Sequence, residues 1–128
     1  MVAKKMAGKK VKLDSRPTLF STQGDAQNHY NQIAQNIYEF KTIIHSGQNF
    51  EELKEIFIKY CQYSNYESGK FANLEIIGFK GVQTVRENYG QHVTTICFAV
   101  IFSNQQEQEF SVRKAIKAIA DYQKSNQQ

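Results

Sequence analysis

Apolar residues first recur at helical spacing between residues 26 and 45. Tyr30, Ile33, Ile37, Phe40 and Ile44 follow an i, i+3/i+4 rhythm, and Ala34, Tyr38 and Ile43 widen the stripe. The spacing predicts one helix, capped by Thr22 or Asp25 and ended at Ser46-Gly47, since glycine takes the left-handed conformation that closes helices. His45 would then fall in the last turn, where a protonated imidazole suits the dipole. A second rhythm, Leu53, Ile56, Phe57 and Tyr60, predicts a helix over residues 49–63. Asn49 is its expected N-cap and Glu52, three residues on, the capping-box partner. Glu51, Glu52 and Glu55 read as a solvated face of that helix.

The period then changes to alternation. Residues 71–87 have strand composition, and Gly78 and Gly81 within them signal a bulge, a bend or a division into two strands. Residues 93–102 make the strongest strand, with Ile96, Phe98, Val100 and Phe102 on one side and Cys97, Ala99 and Ile101 on the other. That is the pattern of a central strand covered on both faces. After a turn at 103–106, Gln108, Phe110 and Val112 alternate with Glu107, Glu109 and Ser111. A short amphipathic helix opens at Arg113 and buries Ala115 or Ile116, Ile119 and Tyr122. Ahead of the first helix, residues 11–20 allow a short strand that Pro17 confines to an edge. The fold class expected is α+β: two N-terminal helices, an antiparallel sheet of three strands or slightly more, and a C-terminal helix. The layout is a flexible basic arm over 1–16, a single domain over 17–124 and a frayed end over 125–128.

A chain of 128 residues with 41% hydrophobic content can bury one core and is not wholly disordered. Charge is divided unevenly. Lys4, Lys5, Lys9, Lys10, Lys12 and Arg16 stand against Asp14 alone, which puts +5 on residues 1–16 and leaves about −1 on the rest of a chain of net +4. Such an arm either binds polyanions by counterion release or serves as a solubilising extension. Cys61 and Cys97 belong to no CxxC and have no histidine at ligand spacing, so reduced thiols are expected in place of a metal site. The longest apolar run, residues 96–102, is too short to span a bilayer. No membrane association is expected. A cytoplasmic or nuclear setting is, with organelle import left open by the basic, acid-free residues 1–12.

Catalytic motifs are missing. There is no GxSxG, HExxH, P-loop or GxGxxG, and His29, His45 and His92 stand apart from the acid or thiol a triad would need. The expectation is therefore a non-enzyme, with no cofactor, no metal and no small-molecule substrate. Tyr60, Tyr63 and Tyr66, followed by Phe71 and Phe79, either stack bases or divide between core and interface.

Chemistry concentrates in the last third of the chain. Tyr89-Gly90-Gln91-His92 precedes the strongest strand, and Arg113-Lys114-x-x-Lys117 opens the final helix. Over residues 49–124 this arrangement resembles a double-stranded-RNA-binding domain. The resemblance implies a helix, three antiparallel strands and a helix. It further implies that the His92 loop reaches the minor groove, and that Arg113, Lys114 and Lys117, behind Ser111, contact phosphates across the major groove. The chain departs from that family in its long stretch over 64–81, in Glu107 and Glu109 near the phosphates, and in the lack of glycine just before the last helix. A second resemblance, to nuclear-transport-factor-2-like proteins, implies a cone with long bent strands and a chain ending in strands. The readings that remain are a small nucleic-acid-binding subunit and a protein-docking subunit of a larger assembly. The two combine in an accessory subunit of a nucleic-acid-handling complex, with the arm and the Arg113 cluster on the polyanion and an aromatic face on a protein partner.

Overall fold

The computed structural model describes residues 10–16, 19–64, 74–88 and 90–125, with side chains placed at all of these except 86–88, 92 and 93. Seven elements follow in order: α1 (Gln23–Glu39), β1 (Ile43–Ile44), α2 (Gln48–Ser64), β2 (Ile76–Asn88), β3 (Gln91–Phe102), β4 (Glu107–Phe110) and α3 (Val112–Ser125). The strands form one antiparallel sheet in the order β1-β2-β3-β4. The α+β class and the placing of two helices before the sheet and one after it are as the periodicity predicts. Among the described residues the sheet has four strands.

The fourth strand comes from the end of the first predicted helix. α1 starts on Thr22, whose Oγ1 accepts the Asp25 N–H at 3.0 Å, but it stops at Glu39. Lys41 turns the chain with φ 53°, and Ile43 and Ile44 then pair with Lys80 and Phe79 of β2. Thr42, Ile43 and Ile44 are β-branched in succession, which favours extended backbone once a free sheet edge is beside them. Phe40 and Ile43 consequently lie in solvent, 72% and 49% exposed, and His45 is not in a helix. Gly47 does adopt the left-handed conformation (φ 94°), at the entry to α2, where its carbonyl accepts the Glu51 N–H. Asn49 is inside α2 rather than its cap.

The three helices lie on one face of the sheet. Phe79, Phe98, Val100, Phe102 and Phe110 point into that layer and are fully buried or nearly so. Phe57 of α2 meets Phe102 and Phe110 edge-on, and Phe50 meets Phe79. Each such ring pair adds about 0.5–1.5 kcal/mol beyond area burial. β3 is central, as expected, while its second face is only partly covered: Ala99 is buried, Cys97 and Ile101 half-buried. A Lys80–Glu107 ion pair at 2.9 Å crosses that face. β2 is one strand, with a register irregularity between Ile76 and Gly78. At Gly81 a Cβ would sit 2.7 Å from Tyr38 Cβ and 2.8 Å from the Ala34 carbonyl oxygen, so glycine lets α1 lie directly on the strand.

Residues 10–16 do not hang free of this body. Val11 pairs with Phe20, and Val11 and Leu13 are completely buried. The segment is clipped to α2 and α3. The Asp14 and Ser15 N–H groups donate to Glu55 at 2.6 and 2.8 Å, and the Lys12 backbone exchanges two hydrogen bonds with Gln123. Glu52 is 1% exposed and accepts from Tyr30 Oη and Gln48 Nε2, each at 2.6 Å, and from Arg16 at 3.3 Å. Of the three glutamates read as solvated, only Glu51 is exposed; Glu52 and Glu55 bind the N-terminal segment. Lys4, Lys5, Lys9, Tyr66 and Phe71 lie outside the described residues.

Candidate nucleic-acid interface

β2 and β3 form a hairpin of 13 and 12 residues, paired from Ile76–Phe102 to Asn88–Gln91. At about 3.4 Å per residue each strand runs roughly 40 Å, longer than the helices need for cover. The distal half is mixed: Gln83 and Thr94 share the face of the base's aromatic residues with Val85 and Ile96, while Thr84 and Thr95 pair on the other face. Gly90 turns the chain with φ 79°.

This distal half of the hairpin, the middle of α1 and the start of α3 enclose an open groove of about 800 Å³, with Val85 and Ile96 among its hairpin lining. From α1 come Asn31 and Gln35, four residues apart and so on one face. Ser111, Val112, Arg113 and Lys114 form the other wall. The Ser111 hydroxyl caps α3 by accepting the Lys114 N–H at 3.3 Å, and its carbonyl accepts from Ala115 at 3.0 Å. Gln27 of α1 donates to the Arg113 carbonyl at 2.9 Å, which fixes the two helices side by side. Tyr60 and Phe110 also contribute to the lining, although they are only 7% and 3% exposed.

Some of the described cations are paired with acids and others, Lys10, Lys41, Lys54 and Lys124 among them, are not. Lys59 is held by Glu55 and Asp14, Arg16 by Glu52 and Lys80 by Glu107. Arg113 and Lys114 are exposed at the groove and have no ion-pair or hydrogen-bond partner for their charged groups among the described residues. They occupy the first turn of α3, which contains no acidic residue, whereas α1 and α2 carry Asp25 and Glu51 there. A cation at a helix N-terminus opposes the macrodipole by about 0.3–1 kcal/mol. The first turn of α3 thus bears two locally unfavourable, uncompensated charges beside this groove.

The other sequence-predicted site residues are placed as follows. Lys117 forms an exposed i, i+4 pair with Asp121 at 2.9 Å. His92 stands opposite Glu87 in the hairpin, within β3 rather than in a loop; its side chain lies outside the description. Lys10 is exposed, while Lys12 turns its ammonium onto the Leu13 and Arg16 carbonyls. Lys12 is joined to Gln123, ten residues along α3 from Arg113, or about 15 Å at 1.5 Å per residue. The structure therefore brings Arg113 and Lys114 to the groove and attaches the arm at the opposite end of the same helix. Glu109 also lines the groove, but Glu107 is spent on Lys80. Asn31, Gln35 and Thr94 went unrecognised from sequence; Gly81, which seats α1 on the hairpin, was their one signal.

No three His, Cys, Asp or Glu side chains gather into a metal-holding cluster among the described residues, and Cys61 and Cys97 are not joined in a disulfide. No helix among the described residues is long and apolar enough to cross a membrane. Comparison with family models, with curated proteins and with solved structures finds no match.

Proposed function

We propose that this chain is a small, non-catalytic accessory subunit of a nucleic-acid-handling complex, which contacts phosphates through Arg113 and Lys114 at the groove and through its basic arm. The observation that carries the reading is the pair of cations without an acidic partner in the first turn of α3, a turn that holds no acidic residue and lines the groove. Positions that lower local stability are expected where a ligand supplies the missing partner. An anion at the mouth of the groove would meet both side chains. The elements α2-β2-β3-β4-α3 follow one another in the helix, three strands, helix order that the resemblance to a double-stranded-RNA-binding domain implies. Two cysteines not joined in a disulfide accord with a reducing cytoplasmic or nuclear compartment.

The accessory half of the reading rests on a different surface. Phe40, Ile43 and Ile77, 72%, 49% and 38% exposed, lie around the short edge strand β1. An exposed edge flanked by apolar side chains is a ready template for strand addition by a protein partner.

Fluorescence anisotropy with labelled RNA duplex, DNA duplex and single strands, each at two salt concentrations, tests the nucleic-acid half. Arg113→Glu/Lys114→Glu is expected to weaken binding about tenfold or more and to lower the salt slope by about two, one per cation lost. Neutralising Lys4, Lys5, Lys9 and Lys10 to Gln should weaken binding equally for every nucleic acid. Unchanged binding by the Arg113/Lys114 variant, with complete loss in the arm variant, would remove the groove from the account.

A further inference from the structure

The groove is the wrong shape for a duplex and the right one for an extruded or single-stranded nucleotide. A duplex is recognised from outside, by protein elements that protrude into its grooves and reach phosphates on both sides. Here the cations stand at the rim of a concavity whose opposite wall is α1, held against α3 by the Gln27–Arg113 hydrogen bond. Its volume of about 800 Å³ is that of a small-ligand site.

We infer that the groove binds a single-stranded nucleic-acid segment, with a phosphate at Arg113 and Lys114 and a base inside against Asn31 and Gln35. This rests on the nucleic-acid reading above and gives it a substrate class. Asn31 and Gln35 each offer a side-chain amide donor and acceptor, the complement of a base edge, and neither side-chain amide has a hydrogen-bond partner among the described residues. Thr94 adds a hydroxyl on the hairpin side. The two aromatic rings that line the groove are almost completely buried, so they present little face for stacking. Sites built on stacking tolerate any base; one built on amide edges discriminates. The groove therefore favours single strands over duplex and one base over others.

The test uses the full chain and labelled single-stranded homopolymers of A, C and U, with an RNA duplex of equal length and inorganic phosphate as competitor. At least one homopolymer is expected to bind about tenfold more tightly than the duplex. Asn31→Ala/Gln35→Ala should erase that preference while leaving the duplex affinity as it was. Thermal melts of the double variant establish that it folds; both positions are at the surface of α1. Equal or tighter binding of duplex, lost on reversal of Arg113 and Lys114, would overturn the single-strand inference and leave the nucleic-acid reading standing. Competition by phosphate alone as effective as by oligonucleotide would reduce the site to an anion site and overturn it as well. Absence of binding to any nucleic acid would remove both.

Discussion

Glu52 is the residue on which the N-terminal third depends. Its carboxylate is buried and its hydrogen-bonding capacity is met by Tyr30, Gln48 and Arg16, which come from α1, α2 and the segment ahead of both. Removing one member of such a set leaves the rest without partners. Glu52→Ala should cost about 3–5 kcal/mol in urea denaturation. Tyr30→Phe, which loses one hydrogen bond to a charged group, should cost about 1.5–3 kcal/mol. A loss below half a kcal/mol for Glu52→Ala would show that the set contributes nothing. Burial, with Arg16 adding to it and Glu52 opposing it, holds the His29 pKa below its usual 6.5; the imidazole packs between Phe20 and Tyr30. An unfolded chain takes up this proton at about pH 6.5 and the folded one only lower. The contribution is thus complete above pH 6.5 and declines as pH falls beneath it. For Glu55, burial alone would raise the pKa, but Lys59, the Ser15 hydroxyl and two backbone N–H groups together hold it below 4.5. Its stabilisation is present above that value and is lost as pH falls through the folded-state pKa. Stability should therefore decline in two stages on acidification, and His29→Gln should flatten the first; a slope unchanged by His29→Gln between pH 7 and 5.5 would contradict the assignment. None of this could be read from spacing. Glu51, Glu52 and Glu55 have the same helical pattern as any wet face, and only a segment nearly forty residues away distinguishes them.

At the scale of elements, helix and strand types followed from periodicity, whereas boundaries were decided by tertiary partners. The 26–45 rhythm does continue through Ile44, but the free edge of β2 takes Ile43 and Ile44 as a strand. Gly78 and Gly81 were both legible as breaks in a strand pattern, yet they do different things. The first lies at a register irregularity; the second receives α1. Gly81→Ala must push α1 off the hairpin, since the new Cβ would meet Tyr38 and the Ala34 carbonyl below 3 Å. A loss of about 1–3 kcal/mol is expected, from overpacking. Because Asn31 and Gln35 ride on α1, the same change should weaken single-strand binding; normal stability and binding together would show that the helix does not rest on that glycine. The first turn of α3 predicts the opposite sign. Arg113→Glu/Lys114→Glu exchanges two unfavourable charges for two that suit the dipole, so it should raise stability by up to about 1 kcal/mol per position while destroying anion binding. A destabilised double variant would mean that these cations have a structural partner.

Over the whole molecule, the uneven charge is the feature most fully legible in composition. The sequence locates basicity in residues 1–16 and in the Arg113 cluster, and the structure joins Lys12 to Gln123, ten residues along α3 from Arg113. What composition could not reveal is that residues 11–16 belong to the core, with Val11 and Leu13 buried and Glu55 binding the backbone. Truncation at residue 17 would therefore unfold the body as well as discharge it, which is why the arm is tested by neutralising lysines. The groove was equally hidden, because its walls come from α1, the hairpin and α3, joined only by folding. The central claim is that this groove, beyond the arm, receives the nucleic acid. The most direct measurement is amide chemical-shift mapping of the full isotope-labelled chain during titration with a single-stranded oligonucleotide. Saturable shifts at Asn31, Gln35, Thr94 and residues 111–114 are the predicted result. Shifts confined to residues 1–12, or centred on Phe40, Ile43 and Ile77, would contradict it.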